Sequence, residues 1–441
     1  MDHCFQVGIG KVDITPEADG YIAGSLYPRK TSLIKDPLFS KAMVISSGNV
    51  KVAIVSLDII SLFAEDVLKV KSEIEQSTGI AKANIVLCAS HTHSGPYTDF
   101  VAVQLGASYL EKNHVHSEIV QQHLLYMNRL REAIVQSVIK ANDNLEDCKL
   151  GVSNSEVEGL SHNRRLLKEN NDCWNSWLLP LEERAKWPAE GPMDTKLFVM
   201  AAVKADGKVK ALLYNYALHA NNNPTEGSVS ADYPGKVEQE VTGVLGAEVM
   251  TFYVAGACGN INPIVSSDDV GTRIGQEIIR SVAKLDFNAD TVIKVESVEI
   301  DLPLRQMNEF QEEEIARKWP DGVDYFLSSY QLLKAKNIPS YKASLTGIRL
   351  GEIALITCPV ELFVELGLYI KRKSPFAHTA IVTLTNGCLG YVPTLQAFEH
   401  GGYETFGSLY SFLTPHAGNE IVNHSLSILR NLNDVHGNVG L

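Results

Sequence analysis

The hydrophobic and polar positions along the chain alternate between strand-like and helix-like periods. Short apolar runs such as FQVGIGKVDI, ANIVLCAS and VMTFYVAGA predict strands. Longer segments with apolar residues three and four positions apart, such as EDVLKVKSEIEQSTG and KVEQEVTGVLG, predict helices. The longest helical pattern covers residues 117–141, and a last helix is predicted from Glu420. This alternation favours an α/β fold.

Turn signals indicate that several neighbouring strands pair antiparallel. Gly48-Asn49 separates KAMVISS from VKVAIVSLDII, Asp206-Gly207 separates KLFVMAAV from KVKALLYNYALH, and Gly351 lies within LTGIRLGEIALITCP. Such short connections cannot hold the crossover that parallel strands need. We therefore expect an α/β fold with a mixed, layered sheet core and helices, organised as a single domain over residues 1–441.

The composition narrows the classes of function. The chain has 441 residues, 45% of them hydrophobic and 21% charged, which is enough for a large buried core. A formal net charge of −13 argues against nucleic acid or an anionic membrane surface as a partner. No apolar stretch approaches the roughly 18 residues of a membrane span. The N-terminus shows no leader pattern and the seven cysteines are widely spaced, so we expect reduced thiols and a cytoplasmic protein.

Several apolar strands end in residues that can carry chemistry. VLCAS precedes His91, LLYNYA precedes His219, ALITCP precedes Glu361 and TLTNGCLG precedes Tyr391. Folds of the α/β class build their sites from side chains gathered at one edge of a sheet. We therefore expect these four segments to converge.

The stretch CASHTHSGP places two imidazoles, His91 and His93, directly after a predicted strand. On an extended strand they would point to opposite faces, but where the backbone turns both can reach one site. Together with His219 they form a set that suits zinc, which lowers the pKa of its bound water to about 7. The alternative is that they are core histidines bonded to backbone carbonyls.

A carboxylate is expected to complete the metal shell. Glu361 is the first acidic residue after ALITCP, and Glu365 follows one helical turn later. The alternative for either residue is a favourable interaction with the dipole of a helix that begins at Glu361. The residues alone leave this choice open.

The segment YVAGACGNINPIV supplies a glycine-rich turn after a strand. Backbone amides beside Gly259, or the side chains of Asn260 and Asn262, could bind a carbonyl oxygen or an oxyanion. Equally, the turn could need Gly and Asn only for positive φ. In SHNRRLL, Arg164 and Arg165 are most simply explained by a salt bridge at the surface.

Three of the four tryptophans lie in the segment NDCWNSWLLPLEERAKWP. Trp174, Trp177 and Trp187 could form the small core of an insertion at residues 161–194. Alternatively, this segment is an apolar lid, or a wall for an acyl group, over the metal.

Taken in order, these segments resemble the neutral/alkaline non-lysosomal ceramidase family. VGIGKVDITP is similar to the family's first strand, and SHTHSGP is its most recognisable motif. HNRR, NYALH, ADYPG, GNINP, PVELF and GYVPT with GGYE follow in family order, from residue 7 to about residue 425. The resemblance implies the fold of that family's catalytic domain.

The resemblance also implies roles for individual residues. It gives one zinc ion per chain, with the ligands His91, His219, Glu361 and Tyr391. His93 would lie beside the metal and transfer a proton toward the leaving amine. The residues that line the site and hold the substrate or the oxyanion would be Arg164, Asn262 and Tyr403.

Two departures from the family pattern bear on the substrate. Asn262 stands where the family has a serine, so an alkoxide nucleophile at this position is excluded. The chain stops at residue 441, and we expect it to lack the family's immunoglobulin-like C-terminal domain. Both departures argue against a sphingolipid as the substrate and favour something smaller. The expected substrate is a small-molecule or lipid-like amide, ceramide-like or smaller.

The predicted function is zinc-dependent hydrolysis of a linear amide, a carbon–nitrogen bond other than a peptide bond, in lipid metabolism. One alternative is hydrolysis of an ester or glycosyl linkage, and another is a zinc protein without catalysis. A metal-dependent amidohydrolase barrel also uses a His-x-His pair. The hairpins at Asp206-Gly207 and Gly351 disfavour that barrel, because they interrupt a regular βα alternation.

Overall fold

Two β-sheets pack face to face in the computed structural model, and helices cover the outer face of each sheet. The structure describes residues 5–434 except 27–28, 32, 99–115, 224, 226, 288–289, 307–310 and 337. The six described cysteines form no disulfide, and Cys4 lies outside the described residues. Among the described helices, none combines the length and apolar character required to cross a membrane.

The larger sheet has nine strands. In spatial order, eight of them are Met250–Ala255, Val209–Tyr216, Lys196–Lys204, Glu146–Glu156, Phe5–Asp13, Phe39–Ser47, Val50–Leu57 and Ile85–Ala89. The ninth, Asp286–Phe287, pairs with Glu146–Glu156. The outermost pair at each end of the order is parallel and the pairs between them are antiparallel, which confirms a mixed sheet.

The smaller sheet has four strands, in the order Ile293–Pro303, Ser340–Leu350, Ile353–Thr357 and His378–Val382. Its last pair is parallel and the other pairs are antiparallel. The predicted hairpins of both sheets are confirmed. Their turn glycines Gly48, Gly207 and Gly351 have φ of 58°, 83° and 62°, where a residue without Cβ is favoured.

Five two-stranded ladders join the loops between these elements. They pair Tyr21–Ile22 with Arg29–Lys30, Leu33–Ile34 with Ser228–Val229, Ser161–Asn163 with Ile261–Pro263, Arg165–Leu167 with Cys173–Asn175, and Glu361–Leu362 with Tyr391–Val392. The last three of these ladders contain candidate functional residues that were identified from the sequence.

The described α-helices are Ala64–Thr78, His116–Asp143, Leu181–Arg184, Tyr233–Leu245, Ser267–Val282, Glu312–Lys318, Val323–Lys336, Val364–Lys373, Leu395–His400 and Ala417–Asn433. Short 3-10 helices lie at Lys82–Asn84, Glu169–Asn171, Ser176–Leu178, Pro320–Gly322 and Tyr403–Thr405. The last α-helix begins three residues before the predicted Glu420.

Alternation along the strands separates the layers. In Phe39–Ser47, Met43 and Ile45 pack in the cluster between the sheets, whereas Ala42 and Val44 pack in the cluster under the helices. This strand is therefore apolar on both faces, as expected where a sheet lies between two layers.

The ends of several strands meet at one place. The N–H of Thr383, after His378–Val382, donates to the carbonyl of Ala255 at 2.9 Å. The N–H of Ala89 donates to the carbonyl of Leu384 at 3.2 Å. Strands of both sheets thus end together, and the loops that leave them carry the candidate site.

Candidate metal centre

The loop after Ile85–Ala89 turns sharply at His91. This residue has φ of 63°, in the left-handed region that residues with a Cβ seldom adopt. The N–H of His91 donates to Ile59 at 3.0 Å and that of His93 to Ala220 at 2.9 Å. The turn brings the two rings into edge contact with centroids 4.8 Å apart, which alternate residues of a straight strand could not achieve.

Each of three imidazoles uses Nδ1 to donate to a backbone carbonyl. The distances are 2.9 Å for His91, 2.9 Å for His93 and 2.7 Å for His219, to the carbonyls of Ile60, Gly24 and Cys258. Because a carbonyl only accepts, Nδ1 carries a proton, and in the neutral ring Nε2 keeps a lone pair. The hydrogen bonds to backbone carbonyls, which were the alternative explanation to metal binding, are therefore present. They also orient each Nε2 towards the centre of the cluster.

The three Nε2 atoms and the Glu361 carboxylate converge. Oε2 of Glu361 lies 3.3 Å from Nε2 of His91 and 3.3 Å from Nε2 of His219. Nε2 of His93 lies 3.2 Å from Nε2 of His91. The imidazole ligand atoms all lie within 4.8 Å of one another. Oε2 of Glu361 is buried and has no hydrogen-bond partner among the described residues.

These distances fit a divalent zinc ion. Lone pairs and a carboxylate that face one another repel unless a proton or a metal cation lies between them. Donors at about 2.0–2.1 Å from a tetrahedral zinc lie roughly 3.3–3.4 Å apart, close to the 3.3 Å between Oε2 of Glu361 and Nε2 of His91 or His219. Imidazole and carboxylate are also donors that zinc accepts readily.

Burial sets the protonation of the cluster. It lowers the pKa of His219 to about 4, with the Arg164 charge adding to the effect. It also holds the pKa of His93 well below the usual range. Burial alone would raise the pKa of Glu361, but attraction to His91 and His219, when these rings carry a proton on the facing nitrogen, holds it well below its usual range. Neutral His93 and His219 beside an ionised carboxylate are the protonation states that metal ligation requires.

Glu361 lies in a short parallel ladder rather than in a helix. It pairs with Tyr391, and the following helix begins at Val364. The prediction of a helix from Glu361 is therefore wrong, and so is the helix-dipole explanation of this residue. Burial is the main reason why the pKa of the Tyr391 phenol lies well above its usual range, and the negative charge of Glu361 adds to the effect. Tyr391 thus lies beside Glu361, and the family resemblance implies that both residues are zinc ligands.

Arg164 and Arg165 are buried, so the surface salt bridge expected for them is wrong. They are 2% and 0% exposed. Glu404, also 0% exposed, accepts from Nε of Arg164 at 2.8 Å and from Nη1 of Arg165 at 2.7 Å. Sequence reasoning missed Glu404, although its place next to Tyr403 in GGYE was an available signal.

Arg164 connects Glu404 to the histidine cluster. Its Nη1 donates to Oδ1 of Asn262 at 3.1 Å and lies 3.3 Å from Nε2 of His219. Its guanidinium carbon lies 5.3 Å from the centre of the Tyr391 ring. The structure therefore brings Arg164 and Asn262 to the candidate centre.

Aromatic rings border the cluster on the side of Tyr403. The Tyr403 ring lies edge-on to Tyr391 and to Trp177, at 5.5 Å and 5.6 Å between centroids. The guanidinium of Arg164 lies 4.9 Å from the Trp177 ring. Trp177 therefore contacts two of the predicted site residues.

Trp174 lies in a different environment. Its Nε1 donates to Asp172 at 2.8 Å, and its ring is flanked by the cations of Lys168 and Arg317 at 4.4 Å and 5.6 Å. Asp172 also accepts from Nη1 of Arg317 at 2.6 Å. Trp174 thus helps to fasten its segment to the helix Glu312–Lys318.

The glycine-rich turn does not present Gly259 and Asn260 as oxyanion donors. The N–H of Gly259 donates to Leu362 at 2.9 Å. The side chain of Asn260 bonds the N–H of Val364 and the carboxylate of Glu365. Glu365, the competing ligand, is thus bound to Asn260 instead of reaching the cluster.

Comparisons with known proteins agree with these observations. The family described as neutral/alkaline non-lysosomal ceramidase, N-terminal, matches residues 5–266. The neutral ceramidase of Pseudomonas aeruginosa is 25% identical over 230 residues, which cover 49% of this chain and 30% of that protein. Neutral ceramidase A of Dictyostelium discoideum is 24% identical over 245 residues, 53% of this chain and 31% of that protein. The match thus spans under a third of these relatives' length.

Two solved structures share the fold. The crystal structure of neutral ceramidase from Pseudomonas aeruginosa has a TM-score of 0.71 at 18% identity, covering 98% of this chain and 75% of that chain. A ceramidase complexed with C2 has a TM-score of 0.70 at 17% identity, covering 100% of this chain and 77% of that chain. These likenesses confirm the mixed, layered α/β fold.

Replacement of Glu361 by glutamine tests whether the cluster is built for a cation. In metal-free protein the new amide can donate to a facing Nε2, so Glu361→Gln is expected to unfold at or above the wild-type temperature. Its zinc affinity should fall at least about 100-fold, because the anionic ligand is lost. Thermal unfolding in chelator and zinc titration give the two values.

Glu365→Gln is the matched control, since it removes a carboxylate one helical turn away and leaves an acceptor for Asn260. It should keep zinc affinity near that of the wild type. Zinc binding unchanged in Glu361→Gln, or strong destabilisation of its metal-free form, would contradict the assignment.

Proposed function

Because the chain belongs to the neutral/alkaline non-lysosomal ceramidase family, we propose that it is a zinc-dependent hydrolase of a linear amide. The observation that carries the proposal is the buried Glu361 oxygen that faces the Nε2 atoms of His91 and His219 at 3.3 Å. The amide is taken from the relatives, which are named as ceramidases, because a ceramide is an N-acyl amide. The substrate class is an N-acyl compound, ceramide-like or smaller.

The residues that would hold one zinc ion are His91, His219 and Glu361, with Tyr391 as the fourth. Bound zinc would lower the pKa of a water molecule and polarise the substrate carbonyl. The backbone carbonyls on the Nδ1 atoms keep the rings in place and raise their basicity as ligands.

His93 is placed to move a proton. Its Nε2 faces the same point as the ligand atoms, while its Nδ1 is held by the carbonyl of Gly24. Burial holds its pKa well below the usual range, so the ring is neutral and can accept a proton from the attacking water. His93 would then donate this proton to the amide nitrogen, which must be protonated before the carbon–nitrogen bond breaks.

Arg164 and Tyr403 would stabilise the negative charge that develops on the amide oxygen. Arg164 is cationic, buried and fixed by Glu404 and Asn262 at 2.8 Å and 3.1 Å. A donor held in place in this way loses little energy to reorganisation when the charge appears. Asn262 acts here as the acceptor that orients Arg164 and not as a nucleophile.

Trp177 would form a wall for the apolar part of the substrate. It lies against Tyr403 and Arg164, and its ring is half-buried. This arrangement supports a role for residues 161–194 in bordering the site, with Trp174 fastening the segment from outside.

The proposed reaction is tested with an N-acyl amide, a matched ester and a glycoside, by following the release of acid and amine. Zinc-loaded wild type is expected to cleave the amide and to lose this activity in chelator. His93→Ala should keep its zinc and lose about 10²–10⁴-fold in kcat, the usual contribution of a proton-transfer group.

Three outcomes would change this account. Cleavage of the ester or glycoside without the amide would show that the bond is wrong. Loss of zinc in His93→Ala would make His93 a ligand, and full turnover with zinc bound would remove its proton-transfer role.

Trp177→Ala tests the proposed wall. With amides of graded acyl length, KM should rise about tenfold for a long chain and little for a short one, because only the long chain loses apolar contact. Trp174→Ala is the matched control and should affect both lengths equally. Equal effects of Trp177→Ala on both lengths would refute the wall.

A further inference from the structure

Asn260, which the proposed function does not use, connects the turn behind His219 to the residues that follow Glu361. We propose that Asn260 is a positioning residue that, paired with Glu365, sets the spacing between His219 and Glu361. The inference rests on the proposed function, because it takes the His219 and Glu361 cluster as the zinc site.

The turn at residues 258–261 holds His219 from behind. Nδ1 of His219 donates to the carbonyl of Cys258 at 2.7 Å and lies 3.1 Å from that of Ile261. The N–H of His219 also donates to Ile261 at 3.3 Å, and the N–H of Arg164 donates to the carbonyl of Asn260 at 2.9 Å. The positions of His219 and Arg164 therefore follow the position of this turn.

The same turn is in backbone contact with the segment that carries Glu361. The N–H of Gly259 donates to Leu362 at 2.9 Å. A Cβ on Gly259 would lie 2.5 Å from the carbonyl oxygen of Glu361, so only glycine allows this approach. The turn behind His219 and the segment that carries Glu361 thus lie in direct contact.

The Asn260 side chain fixes the relative position of the two segments. Its Oδ1 accepts from the N–H of Val364 at 2.9 Å, a first-turn amide without an intrahelical partner. Its Nδ2 donates to Oε2 of Glu365 at 2.9 Å and lies 3.2 Å from Oε1. Asn260 is 0% exposed, so water cannot replace these bonds.

The Glu365 carboxylate is itself confined by its surroundings. A Cβ on Gly191 would lie 1.8 Å from Oε1 of Glu365, so the backbone there leaves no space for the carboxylate to swing away. A change at Asn260 would therefore be absorbed by the turn rather than by Glu365. Because His219 moves with the turn, the change should reach the zinc site, where partners behind the ligands typically control affinity by about 10–100-fold.

An exchange of the two groups tests this role. Asn260→Asp places two carboxylates against each other, and the Kd for zinc is expected to rise about tenfold or more. The double variant Asn260→Asp with Glu365→Gln restores an amide–carboxylate pair with the partners reversed, and Oδ1 of residue 260 can still accept from Val364. Its Kd should return to within about threefold of the wild type. Competition between each variant and a chromophoric chelator for Zn²⁺ gives the Kd values.

Thermal unfolding of the metal-free variants separates positioning from a general loss of stability. Wild-type zinc affinity in a destabilised Asn260→Asp would overturn the inference and leave the proposed function intact. A double variant that fails to recover zinc binding, or fails to fold, would also overturn it, whether or not the single variant folds. A folded wild type that binds no zinc would overturn the proposed function and this inference with it.

Discussion

The candidate site depends on one electrostatic constraint, which is that the Nε2 atoms of three imidazoles and a buried carboxylate face one another. His91, His93 and His219 each donate Nδ1–H to a backbone carbonyl. Nε2, which carries the lone pair in the neutral ring, therefore points inward. Oε2 of Glu361 meets two of these lone pairs at 3.3 Å. Such an arrangement costs free energy in an empty site and gains it when a divalent cation is bound. The left-handed turn at His91 and the ladder at Glu361 bring these atoms together.

Charge compensation extends outward from the centre in layers. Arg164 would be unfavourable beside a divalent cation if its own charge were not balanced by Glu404, which also balances Arg165. Glu190, an additional partner of Arg165, accepts from His400 at 2.7 Å. The network therefore keeps a fixed cation next to the site, where negative charge would develop on a substrate oxygen.

The parts of the fold that depend on local pattern could be predicted from the sequence. The hairpins at Gly48, Gly207 and Gly351 and the convergence of strand ends follow from turn chemistry and apolar runs. What depends on distant partners could not be predicted. The pairing of Glu361 with Tyr391 replaced an expected helical turn, and Glu404 neutralised arginines assigned to the surface. The strand Ile293–Pro303 was missed because half-exposed charged residues obscure its alternation.

The most direct test of the account is the metal content of protein purified without added metal, for the wild type, His219→Ala and His162→Ala. His162 is the matched control, since its Nε2 bonds Ser176 at 2.8 Å, outside the cluster. The account predicts about one zinc per chain in the wild type and in His162→Ala, and loss of zinc in His219→Ala. A wild type that is folded, free of metal and unable to take up zinc would contradict it.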